Sequence, residues 1–229
     1  MTERCEMKII ARIESDYDTK FGVPRQSGLV NSAVSRIVFE PEYRNPDALR
    51  GMDGFSHLWL IWQFSECVRD DWSPTVRPPR LGGNTRMGVF ATRSPFRPNP
   101  IGLSCVKLEE IKKTAEHGYV LIVSGADLMD GTPIFDIKPY LPYADCHPEA
   151  TGGFAQDVMG HALKVEFPEE WLEKIPEDRR ETLLSILEQD PRPGYQQDPG
   201  RIYGFAYGQW EIKFRVEGEI LTVCQVEGK

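Results

Sequence analysis

Three side chains that can recognise anions or carbonyl groups stand on a stretch that proline makes stiff. The segment GVFATRSPFRPNPIGLS, residues 88–104, carries Arg93, Arg97 and Asn99 among three prolines. Because each proline fixes its own φ angle, the loop loses little conformational entropy when it holds these donors in place. Such preorganisation favours a binding site. The alternative is a rigid connection between strands with solvated arginines.

A second loop, FGVPRQSGLV, offers similar chemistry. Pro24 stiffens its backbone, Arg25 and Gln26 supply donors, and Gly28 permits a ligand to approach the main chain closely. The residues are equally compatible with a polar β-turn.

A third loop, GADLMDGTPIFDIKPYLPYAD, spans residues 125–145 and interleaves acids with aromatic residues. Its MDGTP segment predicts a tight turn whose backbone N–H and C=O groups can read an adenine edge or hydroxyls. Asp130 has the alternative of a simple Asx turn, which is common for an aspartate before glycine.

The elements that must position these loops are mainly β. Short apolar or alternating runs, separated by Gly, Pro, Asn and Asp clusters, favour an antiparallel or mixed barrel or sandwich. The run at 55–64 is apolar nearly throughout and predicts a strand buried on both faces. Asn45 followed by Pro46 predicts a capped helical turn. The expected strands are residues 7–13, 35–40, 55–64, 87–93, 101–113, 119–125 and 133–141.

The amino-acid composition changes after about residue 144, where a stretch rich in small and polar residues and in glycine begins. Residues 176–189 then predict a helix with Leu183, Leu184, Ile186 and Leu187 on one face. Strands are expected near residues 202–207, 209–216 and 220–226. We therefore predict a first domain over 1–145, a linker over 146–165 and a small α+β domain over 166–229.

Composition restricts the class of protein. The 229 residues are 40% hydrophobic and 27% charged, which is typical of a soluble globular chain. There is no run of about 18 apolar residues and no secretory signal pattern, so we expect a cytoplasmic protein without a membrane span. The five cysteines form no CxxC pair and the four histidines no ligand spacing, so we expect neither disulfides nor a metal site.

Charge is distributed unevenly along the chain. The net charge is −8, yet residues 76–101 contain five arginines and no acid, whereas residues 166–190 contain nine acids and three bases. A local cationic patch suits anion recognition even in an acidic protein. Ordinary surface arginines are the alternative interpretation.

Common catalytic and nucleotide-binding motifs are missing from the sequence. It has no GxGxxG, no GxxxxGK[ST] and no GxSxG, and no cysteine lies in a recognisable nucleophile context. Any chemistry must therefore come from the loops.

Four longer segments carry a combined pattern, namely VPRQSGLV, FSHLWLIWQF, TVRPPRLGGNTRMGVFATRSPFRPNPIGLS and DGTPIFDIKPYLPYAD. Together they resemble the TrmO family of tRNA N6-threonylcarbamoyladenosine methyltransferases, which have a TsaA-like β-barrel. The resemblance covers roughly residues 7–145, and DPRPGY at 190–195 resembles the C-terminal domain of bacterial members.

The resemblance implies a fold, a reaction and an assembly. The first domain would be a single-sheeted β-barrel, which agrees with the missing glycine fingerprint. The enzyme would move the methyl of S-adenosylmethionine to N6 of the modified adenosine at position 37, 3′ of the anticodon, in a threonine tRNA. The cofactor would lie near the subunit boundary of a homodimer.

Carried onto this chain, the resemblance also implies cofactor-binding residues in several loops. Ser65 and Glu66 would contribute backbone contacts only. The implied residues are Gln26, Ser27, Gly28, Ser65, Glu66, Arg93, Leu103, Asp130, Gly131, Thr132 and Pro133.

Catalytic and RNA-binding roles are hypotheses based on the chemistry of the matched loops. We predict Asp136 as a base, with Arg97, Asn99 or Lys138 as donors to the carbamoyl oxygen or the threonyl carboxylate. An ion pair between Asp136 and Lys138 is the alternative. Arg77, Arg80 and Arg86 are predicted to contact phosphates of the anticodon stem-loop, and Phe96, Tyr140, Tyr143 and Tyr195 to stack on bases.

Two other classes of function remain compatible with the residues. A non-catalytic RNA- or nucleotide-binding module would share the barrel and the arginines but bind no methyl donor. A loop-based nucleotide hydrolase is the weaker alternative, because the sequence shows no recognisable nucleophile or metal set.

Overall fold

Strands dominate the first 140 residues of the protein, as the sequence predicts. The computed structural model describes residues 6–78, 81, 85–158, 162–192, 198 and 200–229. The strands of this part are β1 (Ala11–Glu14), β2 (Val34–Phe39), β3 (His57–Gln63), β4 (Thr75–Val76), β5 (Met87–Gly88), β6 (Ile101–Thr114), β7 (Gly118–Ser124) and β8 (Pro133–Pro139).

Six of these strands form a closed barrel in the order β1-β2-β7-β6-β3-β8, and every neighbouring pair is antiparallel. Strand direction therefore alternates along the chain. As a result β1, β3 and β7 all end at one end of the barrel, which we call the upper end. The connections 15–33, 64–100 and 125–132 meet there, while 40–56 and 115–117 lie at the opposite, lower end.

The barrel core follows from alternation along the strands. On β3 the residues Leu58, Leu60 and Trp62 are buried, while the intervening side chains are half-buried. The prediction that this run is buried on both faces is therefore wrong for its outer face, where Trp59 is only partly covered by Tyr140 and Asp145. On β6, Gly102 lies against the Trp62 ring and its lack of a side chain makes room for that ring.

Short 3-10 helices occupy the connections. Asn45 caps one of them, accepting a hydrogen bond from the Asp47 N–H, and this confirms the predicted cap. The predicted strand at 87–93 is wrong: pairing stops after Gly88 and a 3-10 turn follows. The 3-10 helices are Pro41–Tyr43, Pro46–Leu49, Met52–Gly54, Ser65–Cys67, Val89–Ala91 and Gly153–Val158.

A second sheet, ordered β10-β11-β12-β9, forms the C-terminal part together with the longest helix. β9 runs parallel to β12, and the other pairs are antiparallel. The helix buries Leu183, Ile186 and Leu187 as expected, but Thr182 rather than Leu184 completes its buried face. The elements are α1 (Pro142–Asp145), β9 (Lys164–Glu166), α2 (Glu169–Leu172), α3 (Glu177–Glu188), β10 (Tyr203–Tyr207), β11 (Trp210–Glu217) and β12 (Ile220–Gly228).

The β1–β2 connection, residues 15–33, joins the two parts of the chain. Tyr17, Val30 and Ala33 belong to the hydrophobic core of the C-terminal sheet rather than to that of the barrel. The backbone of Gly22 lies directly against the Phe205 ring. An ion pair of 2.6 Å joins Arg179 of α3 to Asp16. The connection is therefore held from the C-terminal side by apolar packing and by charge.

Cys67, Cys105, Cys146 and Cys224 are free thiols in the described part of the chain. Across the same residues, every helix is too short or too polar to cross a lipid bilayer.

Candidate active site

The upper end of the barrel brings the predicted cofactor residues together from three connections. Residues 26–28 lie between β1 and β2, residues 65–66 directly follow β3, Arg93 precedes β6, and residues 130–133 precede β8. This convergence results from the alternating strand directions, because each of these segments adjoins a strand at its upper end. Their contact with a cofactor stays a prediction.

Two of these connections touch through a side-chain hydrogen bond. Arg93 donates from Nη1 to Oε1 of Gln26. The two residues are 67 positions apart in sequence, so the contact exists only in the folded chain. It leaves the guanidinium at the surface, where it can also meet a ligand.

The 26–28 loop lies on the open edge of β6. β7 pairs with β6 only from Lys107 onward, which leaves the first half of that strand available on this side. There the Cys105 N–H donates to Ser27 Oγ at 3.2 Å. The Gly28 N–H donates to the Gly125 carbonyl at 2.9 Å. The loop is thereby held as an extension of the sheet.

Glycine is required at both ends of the hydrogen bond between Gly28 and Gly125. Gly28 and Gly125 have φ angles of 77° and 76°, in the left-handed region that other residues rarely adopt. A Cβ on Gly125 would also lie 3.4 Å from the Gly28 backbone. On Gly28 itself a Cβ would meet nothing within 4 Å, so the main chain is accessible to a ligand.

The turn before β8 is tied to the end of β1. Asp130 accepts at Oδ1 from the Ser15 N–H at 2.9 Å, and its own N–H donates to the Tyr17 carbonyl at 2.9 Å. Gly131 donates to the Ile13 carbonyl at 2.8 Å, and Thr132 is buried. The Asp130 carboxylate thus bonds to another loop as well as shaping its own, and it remains exposed.

Leu103 and the residues after β3 form the outer wall of the same end. Leu103 is 56% exposed, although it is an apolar side chain in the middle of a sheet. The Phe64 N–H donates to the Pro100 carbonyl at 2.8 Å, which places exposed Ser65 and Glu66 next to the start of β6. An exposed apolar side chain at this point suits contact with a ligand or a second chain.

Asp127 is a residue at the upper end that the sequence analysis did not predict as part of the site. Burial is the main cause that raises the pKa of its carboxyl, while hydrogen bonds and the Arg93 guanidinium act in the opposite direction. The available signal was an aspartate within the small, apolar run SGADLM directly after a strand.

The predicted catalytic residues are divided between two places. Arg97 donates from Nη1 to the Thr92 carbonyl at 2.9 Å, so part of its guanidinium stiffens its own loop, and Asn99 is exposed beside it. Asp136 and Lys138 lie on the outer face of β8 and form an ion pair of 2.8 Å. This is the contact that the alternative interpretation predicts.

The outer face nevertheless connects Asp136 to the upper end. In the sheet register Asp136 is opposite Ile61 of β3, and Ile61 is opposite Leu103 of β6. Two strand spacings make this separation about 10 Å. The acid therefore lies on the same face as Leu103, at a distance that a modified base can span.

The predicted RNA-binding residues are not all brought together. Val76 and Met87 are paired in the β4–β5 ladder; Arg77 directly follows the first and Arg86 directly precedes the second. These two exposed arginines therefore lie close to each other. Arg80 and Tyr195 lie outside the described residues. Tyr140 and Tyr143 follow β8 at the lower end, about 20 Å along the strand from residues 130–133. The Tyr140 ring nevertheless lies 6.2 Å from the ring of His57, which lines the same cleft as Gly28.

Exposed aromatic residues that sequence reasoning missed lie in the 64–100 connection. The rings of Trp72 and Phe90 are 52% and 73% exposed, with centroids 6.0 Å apart. The Trp72 and Phe90 rings form a surface on which unpaired bases could stack. The spacing of these two residues in sequence has no period that would have indicated it. Phe96, which the sequence does predict to stack, has the Arg69 guanidinium 4.1 Å from its ring centroid.

A cleft of about 360 Å³ adjoins the 26–28 loop on the outer face of the barrel. Within it Glu109 accepts from Ser124 Oγ at 2.6 Å and from Lys107 Nζ at 2.9 Å, and these bonds lower the pKa of the Glu109 carboxyl. The cleft is polar and already internally paired. Its lining residues are Gly28, Asn31, His57, Cys105, Lys107, Glu109 and Ser124.

No group of three or more His, Cys, Asp or Glu side chains suited to a metal ion occurs among the residues that the structure describes. The candidate site therefore consists of main-chain groups, a guanidinium, carboxylates and an exposed apolar wall.

Comparison with known proteins identifies the class of protein and then its family. Residues 12–146 match the tRNA-methyltransferase O N-terminal domain, and residues 160–229 match the TrmO C-terminal domain. The fold is therefore that of a methyltransferase. The chain belongs to the TrmO family.

Individual relatives agree with this assignment over nearly the whole chain. The tRNA (adenine(37)-N6)-methyltransferase of Escherichia coli is 44% identical over 226 residues, covering 95% of this chain and 96% of that protein. A candidate S-adenosylmethionine-dependent methyltransferase of Pseudomonas aeruginosa is 41% identical over 228 residues, with 96% of each chain covered. The crystal structure of TrmO from P. aeruginosa matches with a TM-score of 0.81 at 32% identity, covering 100% of this chain and 99% of that one.

Proposed function

We propose that this protein transfers the methyl group of S-adenosylmethionine to N6 of threonylcarbamoyladenosine at position 37, next to the anticodon of a threonine tRNA. One observation carries the proposal. Segments from three connections converge at the upper end of the barrel, and the Arg93–Gln26 hydrogen bond links two of them. The names of the relatives support the reaction class and the adenine.

The residues at the upper end fit this cofactor. Arg93 can pair with the carboxylate of its amino-acid moiety, and Asp130 can pair with an ammonium or with ribose hydroxyls. The accessible main chain at Gly28 and Gly131 admits a flat adenine, since a Cβ there would meet nothing within 4 Å. Leu103 supplies apolar contact from the outer wall of this cluster.

The main contribution of the protein is then to position the methyl donor and the acceptor. When bound, S-adenosylmethionine supplies a methyl carbon activated by an adjacent sulfonium charge. The three connections have to hold the acceptor nitrogen in line with that methyl group and exclude water. Alignment of two reactants can contribute about 7 kcal/mol or more to lowering a barrier. The stiff proline-rich loop and the tied 26–28 loop provide the required rigidity.

A base assists because the acceptor nitrogen loses its proton during the reaction. The lone pair of that nitrogen is delocalised into both the purine ring and the carbamoyl carbonyl, so it is a poor nucleophile while protonated. We propose that Asp136 takes the proton and that Arg97, Asn99 or Lys138 stabilises the carbamoyl oxygen or the threonyl carboxylate. Lys138 would have to leave its ion pair with Asp136 and pair with the substrate. Because this ion pair is exposed, breaking it costs little free energy.

The 64–100 connection would contact the RNA. We propose phosphate contacts for Arg77, Arg80 and Arg86, and stacking of unpaired bases on Phe96 and on the Trp72–Phe90 pair. Tyr195 would be a further stacking residue.

We further propose a homodimer with the site near its boundary. Leu103 and Ile101 are exposed apolar residues at the upper end, and Phe90 adds a third. We propose that Tyr140 and Tyr143 stack on bases of the RNA. Residence in the cytoplasm, where tRNA is modified, completes the proposal, with domains at 1–145 and 166–229.

A methyl-transfer assay tests the reaction. The protein is incubated with radiolabelled S-adenosylmethionine and with tRNA from cells lacking this enzyme, prepared with and without the threonylcarbamoyl modification. We expect label only in the modified tRNA, and only in the threonine-accepting fraction. Calorimetric titration of the cofactor separates a silent binder from an inactive preparation.

The alternative is a non-catalytic RNA-binding module, which would bind modified tRNA without transferring label and without cofactor binding. For the base, Asp136→Asn is compared with Asp53→Asn, an exposed acid at the lower end. We expect the first variant alone to lose turnover. Full turnover of Asp136→Asn with an unchanged pH dependence would show that the assignment of the base is wrong.

A further inference from the structure

The DPRPGY motif begins with a residue that contacts the loop in which the methyl donor is expected to bind. Residues 190–192 of the motif lie in the described part of the chain, just after α3. Arg25 donates from Nη2 to the Asp190 carbonyl, across 165 positions of sequence. Because Arg25 directly precedes Gln26, the C-terminal part of the chain reaches the beginning of the 26–28 loop.

Asp190 has an unusual backbone conformation. Its φ is 54°, and among the described residues it is the one non-glycine residue with a positive φ. Its N–H donates to the Leu187 carbonyl at 3.1 Å, so it ends α3 in the left-handed conformation that glycine commonly adopts at this place. A residue with a Cβ is strained in that conformation. We therefore expect the aspartate side chain to provide something that glycine lacks.

The Asp190 carboxylate forms a bidentate ion pair with Arg192. It accepts from Nε at 2.7 Å and from Nη2 at 2.8 Å, a geometry that fixes both side chains. The Arg192 side chain is 13% exposed and that of Asp190 is 27% exposed, so water competes little for these bonds. Pro191 between them has a fixed φ. The three residues therefore form a rigid unit that sets the direction of the Asp190 carbonyl.

The bond from Arg25 connects this unit to the candidate site. Gln26 donates from Nε2 to the Arg25 carbonyl, and its Oε1 accepts from the Arg93 guanidinium. Arg25 is thus held through its side chain and orients the Gln26 amide through its carbonyl. Residues 27–28 are bonded to the barrel instead. The loop is therefore held from the barrel at one end and from the C-terminal part at the other.

We propose that Asp190 and Arg192 are positioning residues that fix Arg25, and through it the Gln26–Arg93 contact at which the methyl donor binds. The importance of this contact for the cofactor rests on the proposed function, whereas the fixing of the loop does not depend on it. The C-terminal part of the chain then contributes to the affinity for S-adenosylmethionine without contacting it.

The variant Asp190→Gly separates this role from general stability. Glycine relieves the left-handed conformation, which offsets the loss of the ion pair, so we expect Tm to change by less than about 4 °C. The Kd for S-adenosylmethionine, measured by calorimetry on the full chain, should nevertheless rise about fivefold, as for one lost hydrogen bond. The KM for the cofactor should rise by a similar factor, while kcat at saturating cofactor changes less than twofold. Asp190→Asn keeps one acceptor oxygen for Arg192 and should give an intermediate Kd.

A double variant tests whether Arg192 acts through Arg25. We expect Arg192→Ala and Arg25→Ala each to raise Kd about fivefold, and the double variant to lie within about twofold of Arg25→Ala alone. Arg215→Ala is the matched control, because Arg215 also pairs with an acid two positions away, Glu217, but does so on β11. This control should leave Kd unchanged.

Hydrogen exchange in the absence of cofactor tests the loop itself. In Asp190→Gly and Arg192→Ala we expect exchange of the Gly28 N–H to accelerate about fivefold, while exchange in β2 is unchanged. An unchanged Kd or unchanged exchange at Gly28 in Asp190→Gly overturns the proposal, as do effects of Arg192→Ala and Arg25→Ala that multiply in the double variant. Exchange that accelerates throughout the barrel overturns it too, because that result indicates a general structural role. If the wild-type protein binds no S-adenosylmethionine, the proposed function is refuted, and exchange at Gly28 alone decides whether Asp190 fixes the loop.

Discussion

Gly102 provides a stringent test of the barrel interior. It lies on β6 opposite Trp62 of β3, and both face inward. A Cβ at position 102 would be 2.2 Å from Trp62 Cε2 and 2.4 Å from Cζ2. To restore ordinary van der Waals contact at 3.4 Å, the indole would have to move by about 1.2 Å.

The indole cannot move that far without breaking other contacts. Its Nε1 is bonded to Ser104, and its ring packs 4.3 Å from the centroid of Phe64. Overpacking of this kind costs about 1–3 kcal/mol. Removing a glycine from the unfolded chain returns about 0.5–1 kcal/mol. We therefore expect Gly102→Ala to lower the free energy of unfolding by about 1–2 kcal/mol, which is a Tm decrease of about 2–8 °C.

The assay is thermal and urea unfolding of Gly102→Ala beside the control Gly88→Ala. Gly88 has a φ of −57° and open space around the position of a Cβ, so its substitution should be neutral. Trp62→Phe removes the ring that clashes, although it also removes the bond to Ser104. In the double variant Trp62→Phe/Gly102→Ala, we expect Gly102→Ala to cost at least about 1 kcal/mol less than it costs in the wild-type protein. Costs that add within about 0.5 kcal/mol would refute the steric explanation.

Further outcomes follow from other contacts. Arg93→Ala should raise the Kd for S-adenosylmethionine about tenfold by calorimetry, and Arg93→Lys should not restore it, because a lysine lacks the planar donor set; equal affinity of all three proteins would contradict this. Replacing Arg77 and Arg86 together by alanine should reduce the slope of log K against log salt for tRNA by about 1.4–1.8, whereas an unchanged slope excludes phosphate contact. Phe205→Ala should lower the free energy of unfolding by about 3–5 kcal/mol, since this buried ring packs on Gly22; a loss below 1 kcal/mol would show that the connection does not depend on it. Because burial raises the pKa of Asp127 above 3.8, the ionised carboxylate costs stability as pH rises through that raised value. The Tm of Asp127→Asn relative to wild type should therefore be more favourable at pH 7 than at pH 4, and the reverse trend would contradict the burial effect.

Local signals in the sequence were sufficient for much of the scaffold. The mainly β class follows from alternating runs and turn residues, and the Asn45 cap follows from a side chain that bonds two residues away. The segment at 87–93 was predicted as one strand because its residues favour extended structure. Only pairing partners could limit it to two residues, and the opposite strand β4 is itself two residues long.

The candidate site was predictable as a set of loops but not as an arrangement. Composition and the resemblance to a family pointed to Gln26, Arg93 and Asp130, which lie in different connections. That they meet depends on strand direction around a closed barrel, which no local pattern records. Tyr140 and Tyr143 were grouped with the site for their chemistry, yet β8 carries them to the lower end.

The sequence by itself therefore determined which residue types are available and which segments are strands or turns, because those preferences act over a few neighbouring residues. The tertiary structure alone decided that the Gly28 N–H bonds to the Gly125 carbonyl and that Tyr17 packs in the C-terminal core. Both facts depend on contacts between residues about 100 or more positions apart. Such contacts form only when the whole chain has folded, because their energy comes from burial and from hydrogen bonds that the barrel creates.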